Sequence, residues 1–418
     1  LGLGEDVTCT FVNDDQPPSL TLIKSVINDN GGTAGAGDWT LTASGYNATD
    51  PQTGTYDLSE IGPANYTLTS LTCDNAAGQV TSVTLGLGED VTCTFVNDDQ
   101  PPSLTLIKEV ENDNGGTATE DLWTLTASGP TPISGSGPTV SSDSTFVAGS
   151  YNLSENGPAG YLPGPWECAG GTQVGNQITV ALGESAICTI LNRDIPPELT
   201  LTKVVVNDDG GTAVVTDFTL TATGPTSISG AGGATSDASF SVGTYGLSET
   251  NLTGYDASAW SCAGGTQNGA QITLGLGESA ICTITNDDIA PTLKLVKVVD
   301  NGANPGGTAV DDDWTLSAAA ADPNGGRNFS NAGGSGAFQT VFANAGYDLS
   351  ESAVAGYQVK TDWSCDGGTE VGSTITLGLD DEVTCTIENE ALGMTELLKL
   401  TNGVENQTIW NFTLKGFG

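Results

Sequence analysis

The chain has 418 residues, with 51 acidic and 10 basic side chains and no histidine, for a formal net charge of -41 at neutral pH. That charge argues against nucleic acid and anionic membrane surfaces as partners. With no histidine and no Cys-x-x-Cys pair, the usual zinc ligand sets are absent, and no apolar run approaches the roughly 18 residues of a membrane-spanning helix.

Residues 1–24 recur unchanged at 85–108, so the chain is a tandem array with a unit of about ninety residues. Full repeats are expected at 20–102, 103–197, 198–291 and 292–390. Residues 1–19 read as the last strand of a preceding repeat, and 391–418 as the first strands of a further one. Because the sequence opens with Leu1 in mid-repeat, it reads as a window on a longer chain. Val, Ile, Thr and Leu alternate throughout, punctuated by Gly and Asn-Asp clusters, and no segment keeps a helical period. The expected fold class is all-β: tandem β-sandwich domains, prealbumin-like or immunoglobulin-like, arranged as an extended rod.

Within a repeat the elements follow one order. A first strand carries Leu20, Leu22 and Lys24 at alternate positions and ends at a turn, Asn28-Asp29-Asn30-Gly31-Gly32, suited to positive φ. A second strand over 38–43 sends Trp39 to the core, as do its counterparts Trp123, Phe218 and Trp314. A Ser-, Gly- and Thr-rich loop of variable sequence follows (130–147, 225–242 and 321–342), then a strand of the form Tyr56-x-Leu58-x-Glu60. Trp166, Trp260 and Trp363 each precede a cysteine by two residues and belong on its face. The last strand alternates Cys93, Phe95, Asn97 and runs into a short junction ending in Pro101-Pro102, which holds the chain extended.

The cysteines pair by arithmetic. Cys73 with Cys93, Cys168 with Cys188, Cys262 with Cys282 and Cys365 with Cys385 are each twenty positions apart, and Cys9 is left over. Cys9 matches Cys93 in context, so its partner is expected upstream of residue 1. Disulfides of this kind imply an oxidising, extracellular compartment.

Three polar residues fall on the core-facing parity of every repeat: Lys24, Glu60 and Asn97; Lys108, Glu155 and Asn192; Lys203, Glu249 and Asn286; Lys297, Glu351 and Asn389. Burying an ammonium, a carboxylate and an amide costs several kcal/mol unless they satisfy one another. Burial lowers the pKa of a lysine and raises that of a glutamate. The Lys amine can then attack the Asn side-chain carbonyl while Glu60, Glu155, Glu249 or Glu351 assists, releasing ammonia and leaving an internal isopeptide. The plainer alternative has the Lys snorkelling at a strand end, the Asn opening an Asx turn and the Glu capping a loop.

A Lys-bearing first strand, a Tyr-x-Leu-x-Glu strand followed by Gly160-Tyr161, Gly254-Tyr255 or Gly356-Tyr357, and a last strand ending in Asn together resemble the collagen-adhesin B-type domains. These are also called SpaA-like or prealbumin-like and occur in bacterial pilins, adhesins and surface stalks. The resemblance covers the four full repeats and both ragged ends. It implies a transthyretin-like β-sandwich, a place on the bacterial cell surface, and the cross-linking roles of Lys, Glu and Asn given above. Two features depart from the pattern: Asn65-Tyr66 stands where the other repeats have Gly-Tyr, and every repeat carries a cysteine pair.

The acidic junctions make calcium the one candidate cofactor, with Asn97, Asp98 and Asp99 and their counterparts Asn286, Asp287 and Asp288 as the ligand sets; the alternative is that these acids only solvate a linker. No cofactor is required. At the C-terminal end Leu398, Leu400 and Asn402 repeat the opening alternation with Asn at the lysine position, which raises head-to-tail strand exchange between copies as an expectation. With no recognisable external catalytic set, the expected function is structural: a covalently stapled stalk, pilus-like or surface fibre whose partners are other copies or neighbouring repeats. The alternative is an adhesin whose repeats bind a host or matrix ligand.

Overall fold

The computed structural model describes residues 2–302, 307–321, 326–334 and 336–393, together with the short paired strands Leu400–Thr401 and Val404–Glu405. The expectations for Leu398 and Asn402, and most of 391–418, lie outside the described residues. The chain divides into two units. One takes residues 1–198 with Asp237–Gly243 and Thr273–Ser279, and the other takes Leu199–Ser236, Thr244–Ile272 and the chain from Ala280 onward.

The second repeat shows the plan. One sheet runs, in order, Thr139–Ser141, Ser103–Glu111, Ser185–Asp194 and Tyr161–Ala169; the other runs Thr172–Val174, Gln177–Val180, Gly149–Asn156, Thr124–Ser128 and Ile133–Ser136. Alternating side chains from both sheets meet in one core that includes Leu104, Leu106, Trp123, Leu125, Tyr151, Leu153, Trp166, Ile178 and Ile190. Every neighbouring pair is antiparallel except one: the first and last strands run parallel, Ser103 opposite Ser185 through Glu111 opposite Arg193. The first and fourth repeats have the same parallel pair.

Two local features differ from the sequence expectation. The second strand, expected over 38–43, begins only at Thr40: Asp38 closes a single 3-10 turn, Ala36–Asp38, and Trp39 follows it, as Trp123, Phe218 and Trp314 follow Glu120–Leu122, Val215–Asp217 and Asp311–Asp313. The turn swings Trp39, Trp123, Phe218 and Trp314 into the core. The Ser-, Gly- and Thr-rich loop of the second repeat contains two strands, Ile133–Ser136 in one sheet and Thr139–Ser141 in the other, which close the sandwich beside Lys108; Lys108 N–H donates to Pro138 O at 2.9 Å. In the first repeat only residues 44–53 span this gap. Its two sheets have three strands each, and Leu20, Leu22 and Lys24 are half-buried where Leu104, Leu106 and Lys108 are buried.

Residues 2–18 show how far strand structure depends on neighbours. The same sequence is a strand at Asp90–Asp99, flanked by hydrogen-bonded strands on both sides, whereas at the N-terminal end it forms no strand and Val7, Phe11, Val12 and Cys9 are exposed.

All four expected disulfides form. Each joins directly opposed residues, Cys73–Cys93, Cys168–Cys188, Cys262–Cys282 and Cys365–Cys385, with Cα atoms 4.0–4.1 Å apart. Each bridge closes a loop of 20 residues, which the chain-entropy account values at roughly 3 kcal/mol. Replacing Cys168 and Cys188 together by Ala is therefore expected to lower the melting transition of the second repeat by on the order of 10 °C. Calorimetry of the full chain, with the other repeats as internal references, checks this.

Candidate functional site

The parallel pairing of first and last strands builds the site. Lys24 lies opposite Phe95, Lys108 opposite Ile190 and Lys297 opposite Ile387, so the Asn two residues further along the last strand shares the lysine's inward face. The glutamate comes from the facing sheet, where Glu60, Glu155, Glu249 and Glu351 are register partners of Leu41, Leu125, Leu220 and Leu316. Two sheets thus deliver three polar groups to one point in an apolar core. Lys108, Lys203 and Lys297, with Asn97, Asn192, Asn286 and Asn389, are all at most 4 % exposed.

The four sites adopt two arrangements. In the first and third repeats the lysine ammonium donates to both partners: Lys24 Nζ is 2.8 Å from Glu60 Oε2 and in contact with Asn97 Oδ1, and Lys203 Nζ is 2.8 Å from Glu249 Oε2 and in contact with Asn286 Oδ1. In the second and fourth repeats the glutamate bridges. Asn192 Nδ2 donates to Glu155 Oε1 at 2.7 Å while Lys108 Nζ is 3.1 Å from Oε2; Asn389 Nδ2 donates to Glu351 Oε1 at 2.8 Å while Lys297 Nζ is 2.5 Å from Oε2. This leaves Asn192 Oδ1 and Asn389 Oδ1 buried without a hydrogen-bond partner, a loss of about 1–3 kcal/mol each.

An aromatic ring completes each site. The lysine nitrogen lies 4.6 Å from the Trp39 ring centroid, 4.9 Å from Trp123, 4.3 Å from Phe218 and 4.7 Å from Trp314. Sequence reasoning placed these rings in the core but missed their place over the lysine. Their recurrence beside the Lys-Glu-Asn parity was the available signal, and ordinary core packing accounted for it equally well. Burial pushes the Lys108 and Lys297 amines below their usual pKa, against the opposing pull of Glu155 and Glu351. Each site thus sets a buried amine next to an amide, with a carboxyl group in contact with the amine or with both.

A second polar cluster anchors the turn after the first strand. Asp194, 3 % exposed, accepts from the backbone N–H of Asp113 at 3.1 Å, Asn114 at 2.9 Å and Gly116 at 2.8 Å. Asp99 and Asp288 hold the matching turns. The tyrosine of the Gly-Tyr motif packs edge-on against the site aromatic; in the second repeat Tyr161 Oη accepts from Ala118 N–H at 3.0 Å and donates to Asn112 Oδ1 at 2.5 Å. Asn65 serves in place of glycine because it takes φ 63°, close to the 85° of Gly160, and Asn tolerates the left-handed region.

The residues expected to ligate calcium divide between faces. Asn97 and Asn286 turn inward to their lysines, and Asp99 and Asp288 are occupied by backbone amides. Carboxylate oxygens of Asp29, Asp98 and Asp99 lie within 4.8 Å of one another, as do those of Asp208, Asp287 and Asp288. Partial desolvation and this crowding raise the pKa of Asp98 and Asp208.

A model of the SpaA_2 prealbumin-like fold domain matches four times in tandem, at residues 15–95, 99–190, 194–284 and 288–387. The chain belongs to this SpaA-type family. No curated protein sequence matches it. Among solved structures it is similar to the Bacillus anthracis TIE protein (15 % identity, TM-score 0.44, covering 86 % of this chain and 76 % of that one). It is also similar to the major pilin T-13 of Streptococcus pyogenes (15 %, TM-score 0.22, 44 % and 97 %) and to the B1B2 repeats of the Staphylococcus aureus collagen-binding protein (12 %, TM-score 0.21, 90 % and 99 %).

In the first three SpaA-type domains the anchoring aspartate keeps the turn in place beside the site; the fourth has Ala391 at that position. Asp194→Ala would strand three backbone donors and is expected to destabilise the second repeat by roughly 2–5 kcal/mol, read as a lower urea midpoint. Asp194→Asn, which keeps one acceptor oxygen, is expected to fall between the two.

Proposed function

We propose that the chain is a structural component of an extracellular stalk, pilus-like or surface fibre on a bacterial cell, built of repeats each stapled by a disulfide and by an autocatalytic Lys–Asn isopeptide. The observation that carries this reading is the bridging carboxylate of the second and fourth repeats, which touches the lysine nitrogen through Oε2 and the asparagine leaving nitrogen through Oε1.

The chemistry balances without a cofactor. The neutral amine adds to Asn192 Cγ, and the carboxyl group, protonated or hydrogen-bonded, polarises the amide. The proton lost from Nζ passes through Glu155 to Nδ2; the Cγ–Nδ2 bond breaks and ammonia leaves. A secondary amide between Lys108 and Asn192 remains. The ring of Trp123 and the surrounding core exclude the water that would otherwise compete.

The mechanical consequence follows from the register. First and last strands lie side by side and parallel, so tension applied at the two ends of a repeat loads their hydrogen bonds in shear. A covalent bond between Lys108 and Asn192 carries that tension past the rest of the domain. The disulfides support an oxidising location, and no helix of the described residues is long and apolar enough to cross a membrane. The adhesin reading draws less support, because the variable loops that would recognise a ligand are in part folded into sheet strands, Ile133–Ser136 with Thr139–Ser141 and Ile228–Ala231 with Gly233–Thr235.

Intact mass after reduction is the test. The expected result is a loss of one ammonia for each full repeat, with Lys108 and Asn192 recovered in one branched peptide. Glu155→Gln is expected to restore the ammonia to the second repeat alone. A reduced mass equal to the plain sequence would overturn the cross-link and leave the disulfides as the only staples.

A further inference from the structure

The turn Asn28-Asp29-Asn30-Gly31-Gly32 does more than reverse the chain. Asn30 is 6 % exposed, and its side-chain amide donates to two carbonyls of the second repeat, Ser144 O at 3.1 Å and Phe146 O at 3.0 Å; Ala148 N–H returns a bond to Asn30 O at 2.8 Å. Asn114, 4 % exposed, repeats the pattern within the same unit: Nδ2 donates to Ala238 O at 2.9 Å and Phe240 O at 3.1 Å, and Val242 N–H donates to Asn114 O at 2.9 Å. A buried primary amide needs partners, and here each finds them in the following repeat.

In the second unit the same position holds Asp209, whose side chain lacks the amide N–H that Asn30 and Asn114 use. Ala343 N–H still donates to Asp209 O at 2.8 Å. The missing donor comes from the fourth repeat itself: Arg327 pairs with the Asp209 carboxylate, donates through Nη1 to Val341 O at 3.4 Å, and stacks on Phe342 with its guanidinium carbon 4.4 Å from the ring centroid. Val341 O is the counterpart of Phe146 O and Phe240 O, two residues before the returning amide. The loss of one amide donor is thus matched by a guanidinium across the junction.

The glycine that follows is fitted to the same contact. Gly31, Gly115 and Gly210 have φ of +93°, +90° and +98°, and a Cβ there would meet the next repeat: Val147 Cγ1 at 3.0 Å, Val242 Cγ2 at 2.8 Å and Ala343 O at 2.3 Å. The junction strand adds a second tie. Gln100 N–H donates to Asn65 O at 2.9 Å while its carbonyl accepts from Gly183 N–H at 3.0 Å; Ile195 bridges Gly160 and Gly277, and Ile289 bridges Gly254 and Asp380, in the same way.

We propose that this loop is the docking element by which one repeat recognises its successor, under a pairing rule in which Asn donates to two carbonyls of the incoming turn and Asp requires an arginine on the incoming repeat. It fixes the join between neighbours and discriminates among repeats, independently of any isopeptide.

Residue-resolved amide hydrogen exchange on the full chain tests it. Asn30→Asp sets a carboxylate against two carbonyls with no arginine present, and exchange at Ala148 is expected to accelerate more than tenfold while the strand amides of Leu104 and Leu106 keep their protection. Arg327→Gln, at a half-exposed residue outside every core, is expected to do the same at Ala343; adding Asp209→Asn should restore protection by supplying the amide used at the other junctions. Unchanged exchange at both Ala148 and Ala343 would overturn the docking role. A double variant no better protected than Arg327→Gln alone would overturn the pairing rule.

Discussion

The parallel pairing of first and last strands is the constraint on which the rest of each repeat depends. It joins the beginning of a repeat to its end, so every other strand lies within the loop they close. It also gives Lys24 and Asn97, 73 residues apart in sequence, the same inward face and neighbouring positions. A lysine in that position must be satisfied without water. The facing sheet supplies a glutamate, the 3-10 turn supplies an aromatic face, and burial weakens the hold on the proton. The reactive character of the site on the proposed reading is the consequence of placing a charged strand residue in a core.

The last strand is central in its sheet, between the first strand and the strand that carries the other cysteine. The disulfide fastens it on one side and the proposed isopeptide on the other, so three adjacent strands become one covalent network. Domains of this size bury a limited core, and the four repeats differ in how well theirs is closed. The first, lacking the strands that seal the others at the side, leaves Leu20, Leu22 and Lys24 half-buried. There the two staples would supply a larger share of the stability than in the second repeat, where Lys108 is fully enclosed.

Much of this was legible in the sequence, because a two-residue period reports which face a side chain takes without reporting its neighbours. Parity placed Lys24, Glu60 and Asn97 inward, and cysteine spacing gave four bridges. Parity says nothing about strand direction, so the parallel register behind the site was not readable. The two strands within 133–141 were hidden because Ser, Gly and Thr serve a loop and an edge strand equally well. Asn30 read as a turn residue, and correctly so in its backbone; its side-chain partners lie 114 and 116 residues away in another repeat, and no local pattern carries that.

Protonation ties these parts together. The depressed pKa of Lys108 and Lys297 means that, before any cross-link forms, the folded chain holds fewer protons there than the unfolded one, and stability rises with pH through the window between the two values. Asp98 and Asp208 lean the other way: their raised pKa favours the protonated folded form, so their contribution is fullest below the ordinary carboxylate range and falls as pH rises through it. An isopeptide converts the amine into an amide that no longer titrates. On the proposed reading, cross-linking therefore removes the alkaline preference that Lys108 and Lys297 give the core.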